Sequence, residues 1–153
     1  MDIFSKADKQ GQAKVVDQLY KIFSGQTLTV DQHYIDKSTV DIYVTATTKT
    51  NKSYLYVFEV KDRNFEHTKY SDCFLDVDKL NELRKREGYR QMYVHTFTDD
   101  WISIWDIGKI DFSMYQPKAI TRGKYTVIPS EKVVRKSYLI PDTECVYSNS
   151  FIV

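Results

Sequence analysis

Two neighbouring segments restrict this chain more than any other feature. Residues 40–48 (VDIYVTATT) alternate and are rich in β-branched side chains, and residues 53–61 (SYLYVFEVK) form a longer, more apolar run. Both compositions suit a pleated strand, and the apolar run suits a strand buried on both faces. The intervening KTNK is a polar turn. Two strands joined by so short a turn run antiparallel, so the start of one lies beside the end of the other. Asp41 is thereby brought next to Glu59-Val60-Lys61.

Side chains along a strand repeat every two residues, so Glu59 and Lys61 share a face. Asp41 shares that face only if it stands opposite residue 59 or 61. This requires an odd-length loop centred on Thr50 or Asn51; a three-residue loop with a left-handed Asn51 or Lys52 serves. A two-residue loop at Thr50-Asn51 would put Asp41 opposite Val60 and disperse the group.

Two carboxylates and an ammonium in this arrangement suit phosphodiester hydrolysis. That reaction builds negative charge on the non-bridging oxygens and the leaving group. Mg²⁺ neutralises such charge, taking one or two carboxylates and keeping several waters, and Mn²⁺ can substitute. Asp41 and Glu59 offer the carboxylates, and the Val60 carbonyl a further ligand. Lys61, one pleat away, can hold the attacking water and accept its proton.

Asp41 followed across a hairpin by Glu59-Val60-Lys61 resembles the signature of the PD-(D/E)xK nucleases, the restriction-endonuclease-like superfamily. The order of elements over about residues 8–107 agrees with it. The stretch from FEVKDR to WISIWDI is similar to small nucleases of phages and mobile elements. The resemblance implies an αβββαβ core, a mixed sheet flanked by helices, with further strands at the C-terminal end. It implies a single nuclease-like domain over 1–153, with the core at about 8–107 and an extension at about 108–153. It also implies a catalytic Lys or Gln early in the helix after the motif, a place Lys79 occupies. Many members add a metal-binding Glu on the first helix. This chain has no Glu before residue 59, and Asp17, beside Gln18, is the only carboxylate well inside that helix. Val40 stands where the signature has its proline.

The remaining elements follow from periodicity. Residues 8–23 read as a helix with an apolar stripe of Ala13, Val16, Leu19, Tyr20 and Phe23, ended by Ser24-Gly25. Residues 27–34 read as a strand. Residues 76–87 read as a helix capped by Asp76 or Asp78, with Leu80 and Leu83 inward and Gly88 as its stop. Residues 90–97 and 101–107 read as a hairpin, and 124–129 and 132–140 as strands bounded by Pro129 and Pro141. The sum is an α/β sandwich.

The formal net charge of +1 excludes a uniformly basic nucleic-acid coat, so DNA binding must come from local patches or a metal. The polar loop after the motif, with Arg63, His67 and Lys69, is the expected grip on the DNA backbone. Arg84-Lys85-Arg86, Arg90, Lys132, Arg135 and Lys136 read as ordinary helix-end and surface charges. His33, His67 and His95 lack metal-site spacing, and His95 reads as a core or edge residue. Trp101 and Trp105 share a strand face, in the core or at a dimer contact. Cys73 and Cys145, far apart, read as reduced thiols. The N-terminal MDIFSKADKQGQAK lacks the apolar run of a signal peptide, and no apolar stretch is long enough to span a membrane. A cytoplasmic location is the default.

The sequence therefore points to a Mg²⁺-dependent endodeoxyribonuclease. A homodimer would let two sites cut two strands. The rival expectations are a nuclease-fold DNA-binding module without turnover and a phage structural or assembly protein.

Overall fold

A computed structural model describes residues 3–32, 41–123 and 132–150. Helix α1 (Ile3–Ile22) leads into strands β1 (Thr27–Gln32), β2 (Ile42–Thr47), β3 (Ser53–Asp62) and β4 (Asp72–Asp76). Helix α2 (Val77–Arg84), β5 (Arg90–Thr96), β6 (Trp101–Asp106), β7 (Lys118–Gly123), β8 (Lys132–Pro141) and β9 (Tyr147–Ser150) follow. The expected strand at 124–129 and His33 lie outside the described residues. No helix among the described residues is long and apolar enough to cross a membrane.

The strands form a six-stranded sheet, ordered β1-β2-β3-β5-β6-β9, and a three-stranded sheet, ordered β4-β8-β7. Only β3 and β5 run parallel in the first sheet, which is therefore mixed. The crossover between them carries β4 and α2.

The β2–β3 register decides which side chains share a face. Ile42 stands opposite Phe58 and Thr47 opposite Ser53, so the hairpin is centred on Thr50. The Thr48 amide donates to the Lys52 carbonyl at 2.8 Å and closes a three-residue loop, Lys49-Thr50-Asn51. The Asn51 amide donates to the Thr48 carbonyl at 3.0 Å, and Asn51 takes φ 63°, the left-handed conformation that lets the strands re-align. This is the odd-length loop that the convergence of Asp41 and Glu59 requires.

With that register, alternate residues of β3 face different layers. Phe58 and Val60 face α1 and pack with Val15, Leu19, Ile42, Val44, Val94 and Ile104. Val57 faces α2 and the small sheet, and packs with Leu75, Leu80, Leu83, Tyr93, Trp105 and Ile140. Trp105 is thus a core residue, whereas Trp101 is only half-buried.

Helix α1 is rotated from the face its apolar stripe suggests. Ala13 and Tyr20 are exposed, while Gly11, Gln12, Val15, Gln18 and Leu19 are buried. The reason is close approach. A Cβ on Gly11 would lie 3.1 Å from the Asp62 Cβ and 3.6 Å from a Val60 methyl. The helix docks through its one glycine, and Gln12 and Gln18 go in on the same side.

Strands β4, β7 and β9 were not expected from the pattern. β4 and β9 are short and are made by pairing with strands distant in sequence, whereas β7 pairs with the next strand, β8, as a hairpin. Asp76 precedes α2, but its carboxylate accepts from the Ser137 hydroxyl at 2.6 Å instead of capping the helix.

Asn51→Val is expected to destabilise the fold by about 1–2 kcal/mol, because a β-branched residue resists left-handed backbone. Asn51→Gly is expected to be tolerated within about 0.5 kcal/mol. Urea denaturation of both variants measures the difference.

Candidate metal centre

Asp41 lies one residue before β2. Its backbone N–H donates to the Phe58 carbonyl at 3.1 Å, and its Oδ2 accepts from the Val60 N–H at 2.8 Å. These two bonds fasten the carboxylate to the end of β3. Within a strand, a residue's N–H and C=O point to the same side. The Val60 carbonyl is therefore directed along the edge on which Asp41 sits.

Glu59 is 3% exposed, deep among the side chains that face α2. Its Oε1 lies 3.3 Å from the Lys61 Nζ and 3.0 Å from the Lys79 Nζ. Lys79 is the third residue of α2, so the helix that packs Leu80 and Leu83 into the core also delivers this ammonium. A buried carboxylate requires partners of opposite charge, and Glu59 has two. Asp41 is less well compensated. Burial and the neighbouring Glu59 charge push its carboxyl from 3.8 up to about 7, against the opposing pull of the Val60 N–H, Lys61 and Lys79.

Of the residues expected from sequence, Asp41, Glu59, Val60, Lys61 and Lys79 converge. Asp17 does not join them. It is exposed on α1, and α1 packs on the face of the sheet opposite to Glu59 and Lys61. Among the described residues, no group of three or more His, Cys, Asp or Glu side chains gathers to hold a metal. A cation here would rest on two carboxylates, the Val60 carbonyl and water. Mg²⁺ accepts such a set.

The loop after β3 is more structural than its charges suggest. Arg63 is folded back over the sheet, with its Nη2 3.5 Å from the Tyr93 hydroxyl and 3.2 Å from the His95 Nε2. A guanidinium only donates, so His95 Nε2 is the acceptor. The Arg63 Nε is buried without a hydrogen-bond partner among the described residues. Tyr93 stands opposite Glu59 and His95 opposite Lys61, so the guanidinium lies in the rows that carry the site. Tyr93 is buried, and burial pushes its phenol well above the ordinary range. His67 stacks on Trp101 at 3.9 Å, and its Nδ1 is hydrogen-bonded to Asp99. Its backbone N–H also donates to Asp99 at 3.3 Å. These contacts fasten the loop to the β5–β6 turn. Lys69 remains exposed, its Nζ 5.4 Å from the ring centroids of Phe65 and Tyr70.

Sequence reasoning missed Tyr93 and the inward course of Arg63. Their only local signal was alternation: Arg63 continues the parity of Glu59 and Lys61.

No family model matches this sequence, and no curated protein does. Among solved structures, the chain is similar to that of Archaeoglobus fulgidus Hjc, described as a Holliday junction resolvase from an archaeal hyperthermophile. The TM-score is 0.51, over 93% of this chain and 92% of that one, at 12% sequence identity. The fold is restriction-endonuclease-like. It is the α/β class expected from the order of elements, with its mixed sheet and two helices.

The raised Asp41 value fixes the sign of a pH effect. Because the folded state binds this proton more tightly than the unfolded chain, Asp41 favours folding most below about pH 4. Its contribution falls as pH rises toward about 7. Without added metal, the protein is expected to lose stability across that window, and Asp41→Asn to flatten the loss. Denaturant midpoints at pH 4.5, 6 and 8, chosen to bracket the shift, check this.

Proposed function

We propose that this protein is a Mg²⁺-dependent nuclease that hydrolyses DNA phosphodiester bonds. The observation that carries the reading is the convergence of two carboxylates, Asp41 just before β2 and Glu59 on β3, with two ammonium groups on Glu59. The restriction-endonuclease-like fold supports it. In this reading Asp41, Glu59 and the Val60 carbonyl hold the cation. The cation supplies Lewis-acid stabilisation of charge on the scissile phosphate. Lys61 holds and orients the attacking water, and Lys79 contacts the phosphate. Arg63 adds fixed positive charge beside both, and Lys69 with His67 grips the backbone farther along.

The raised Asp41 carboxyl agrees with the geometry, since burial and then the Glu59 charge both disfavour its ionised form. Two lysines balance Glu59, yet Asp41 still resists ionisation. A divalent ion between the carboxylates would offset the cost of burying the Asp41 charge as well as its repulsion by Glu59. Two such sites in a homodimer would reach two strands.

One observation favours a second reading, a DNA-binding module without turnover. Helix α1 buries Gln12 and Gln18 and leaves Asp17 exposed, and among the described residues no group of three or more His, Cys, Asp or Glu forms around the pair.

Cleavage of linear and branched DNA in Mg²⁺ or Mn²⁺ distinguishes the two. Asp41→Ala and Lys61→Ala are each expected to lower the rate at least about 100-fold, the usual scale for losing a metal ligand or a positioned proton-transfer group. Lys79→Ala is expected to cost about tenfold, a phosphate contact only. Equal cleavage by wild type and the Asp41 and Lys61 variants would remove the site assignment. Binding of DNA with no cleavage in either metal would select the module.

A further inference from the structure

The near-neutral total charge conceals a sharp division along the chain. Residues 118–136, which make most of the β7–β8 hairpin, hold six lysines and arginines against Glu131 alone, a formal +5. The chain totals +1, so everything outside that segment carries −4. Long-range attraction of a polyanion is therefore concentrated on one hairpin.

Among the described residues, the hairpin beyond Ser137 has no third strand. β4 pairs with β8 only over Ser137–Pro141, whereas β7 pairs with β8 from Ser137 back to Lys132. The five residue pairs from Ala119↔Lys136 to Gly123↔Lys132 thus stand as a two-stranded ribbon, about 17 Å long at the usual rise per residue. Its base is tied to the strand that leads into the helix bearing Lys79. Asp76, Ser137 and Lys118 lie in one row across the three strands, Arg135 Nη1 is 3.8 Å from the Asp76 carboxylate, and Asp76 leads directly into the helix that bears Lys79.

Cations occupy both faces of the ribbon. Lys118 and Arg135 share one face by register, and exposed Lys136 projects from the other, beside exposed Ala119, Thr121 and Val134. A ribbon lying flat on a charged surface needs one basic face. A ribbon seated in a groove, with a phosphate backbone on either side, needs two. The major groove of duplex DNA admits a two-stranded ribbon.

We infer that the β7–β8 ribbon is a second DNA-binding element, seated in a groove of the duplex flanking the site of cleavage, with Lys118, Arg135 and Lys136 on the phosphates. This rests on the nuclease reading for its substrate. It assigns the binding to a part of the chain distinct from Asp41, Glu59 and Lys61.

The test is fluorescence anisotropy with a labelled duplex in EDTA, over a range of salt. Wild type is compared with Lys118→Gln/Arg135→Gln/Lys136→Gln and with a control, Lys21→Gln/Lys49→Gln/Lys109→Gln, which removes the same charge elsewhere. The ribbon variant is expected to bind at least about tenfold more weakly near 0.1 M salt. Its log K against log salt slope should be shallower by about 2–3, since each phosphate contact contributes about 0.9. The control should keep the wild-type slope within about 0.5. Because Arg135 also meets Asp76, the Lys118→Gln/Lys136→Gln pair is measured alone and is expected to lose about two contacts' worth of slope. Equal weakening by ribbon and control variants, unchanged binding by the ribbon variants, or no binding by wild type overturns the inference. Ribbon-dependent binding without cleavage would remove the nuclease reading and leave the ribbon. Cleavage that depends on Asp41 but not on the ribbon would do the reverse.

Discussion

The pairing of β2 with β3 is the constraint on which the rest depends. A strand has two faces, and here both are committed. One carries Phe58 and Val60 into the layer under α1, and the other carries Val57, Glu59 and Lys61 into the layer under α2. A slip of one residue would exchange them, burying the Glu59 and Lys61 charges among Val15 and Leu19 and turning two apolar side chains toward Lys79. Asn51 in its left-handed turn and the Val60 amide on the Asp41 carboxylate hold the register from opposite ends of the hairpin. Core and candidate site are therefore specified by one alignment.

Charge is distributed on two scales. Around Glu59 it is local: two ammonium groups on one oxygen, a second carboxylate nearby, and a guanidinium turned inward over Tyr93 and His95. Such a group is costly to bury unless every member has a partner, and strongest where water is excluded. Over the whole chain, the basic ribbon stands against a remainder of opposite sign. In the proposed reading the ribbon gathers the polyanion and the buried cluster acts on it. The two tasks need different dielectric surroundings and occupy different layers.

Helix α1 shows how close packing overrides amphipathic pattern. Its apolar residues suggest one face, yet the helix settles on Gly11, because only there can two backbones approach within the reach of a missing Cβ. Asp17 is carried to solvent as a result. The same rotation brings Lys14 to within 3.5 Å of Asp62, whose carboxylate also accepts from the Thr96 hydroxyl at 2.6 Å. The end of β3 is thus held by polar contacts on the α1 side as well.

What the sequence determined by itself was local or carried by alternation: the β2–β3 hairpin, the shared parity of Glu59 and Lys61, the helix bearing Lys79, and the β5–β6 pair. Hydrophobic period and turn chemistry act over a few residues, so they can be read without knowing what packs where. Only the tertiary structure decided the rest. β4 and β9 exist because distant strands complete their hydrogen bonds, and no short window contains that information. The face of α1, the fate of Asp17 and the inward turn of Arg63 were settled by contacts between layers, where shape at a glycine and the partners of a buried cation outweigh the preference of any single residue.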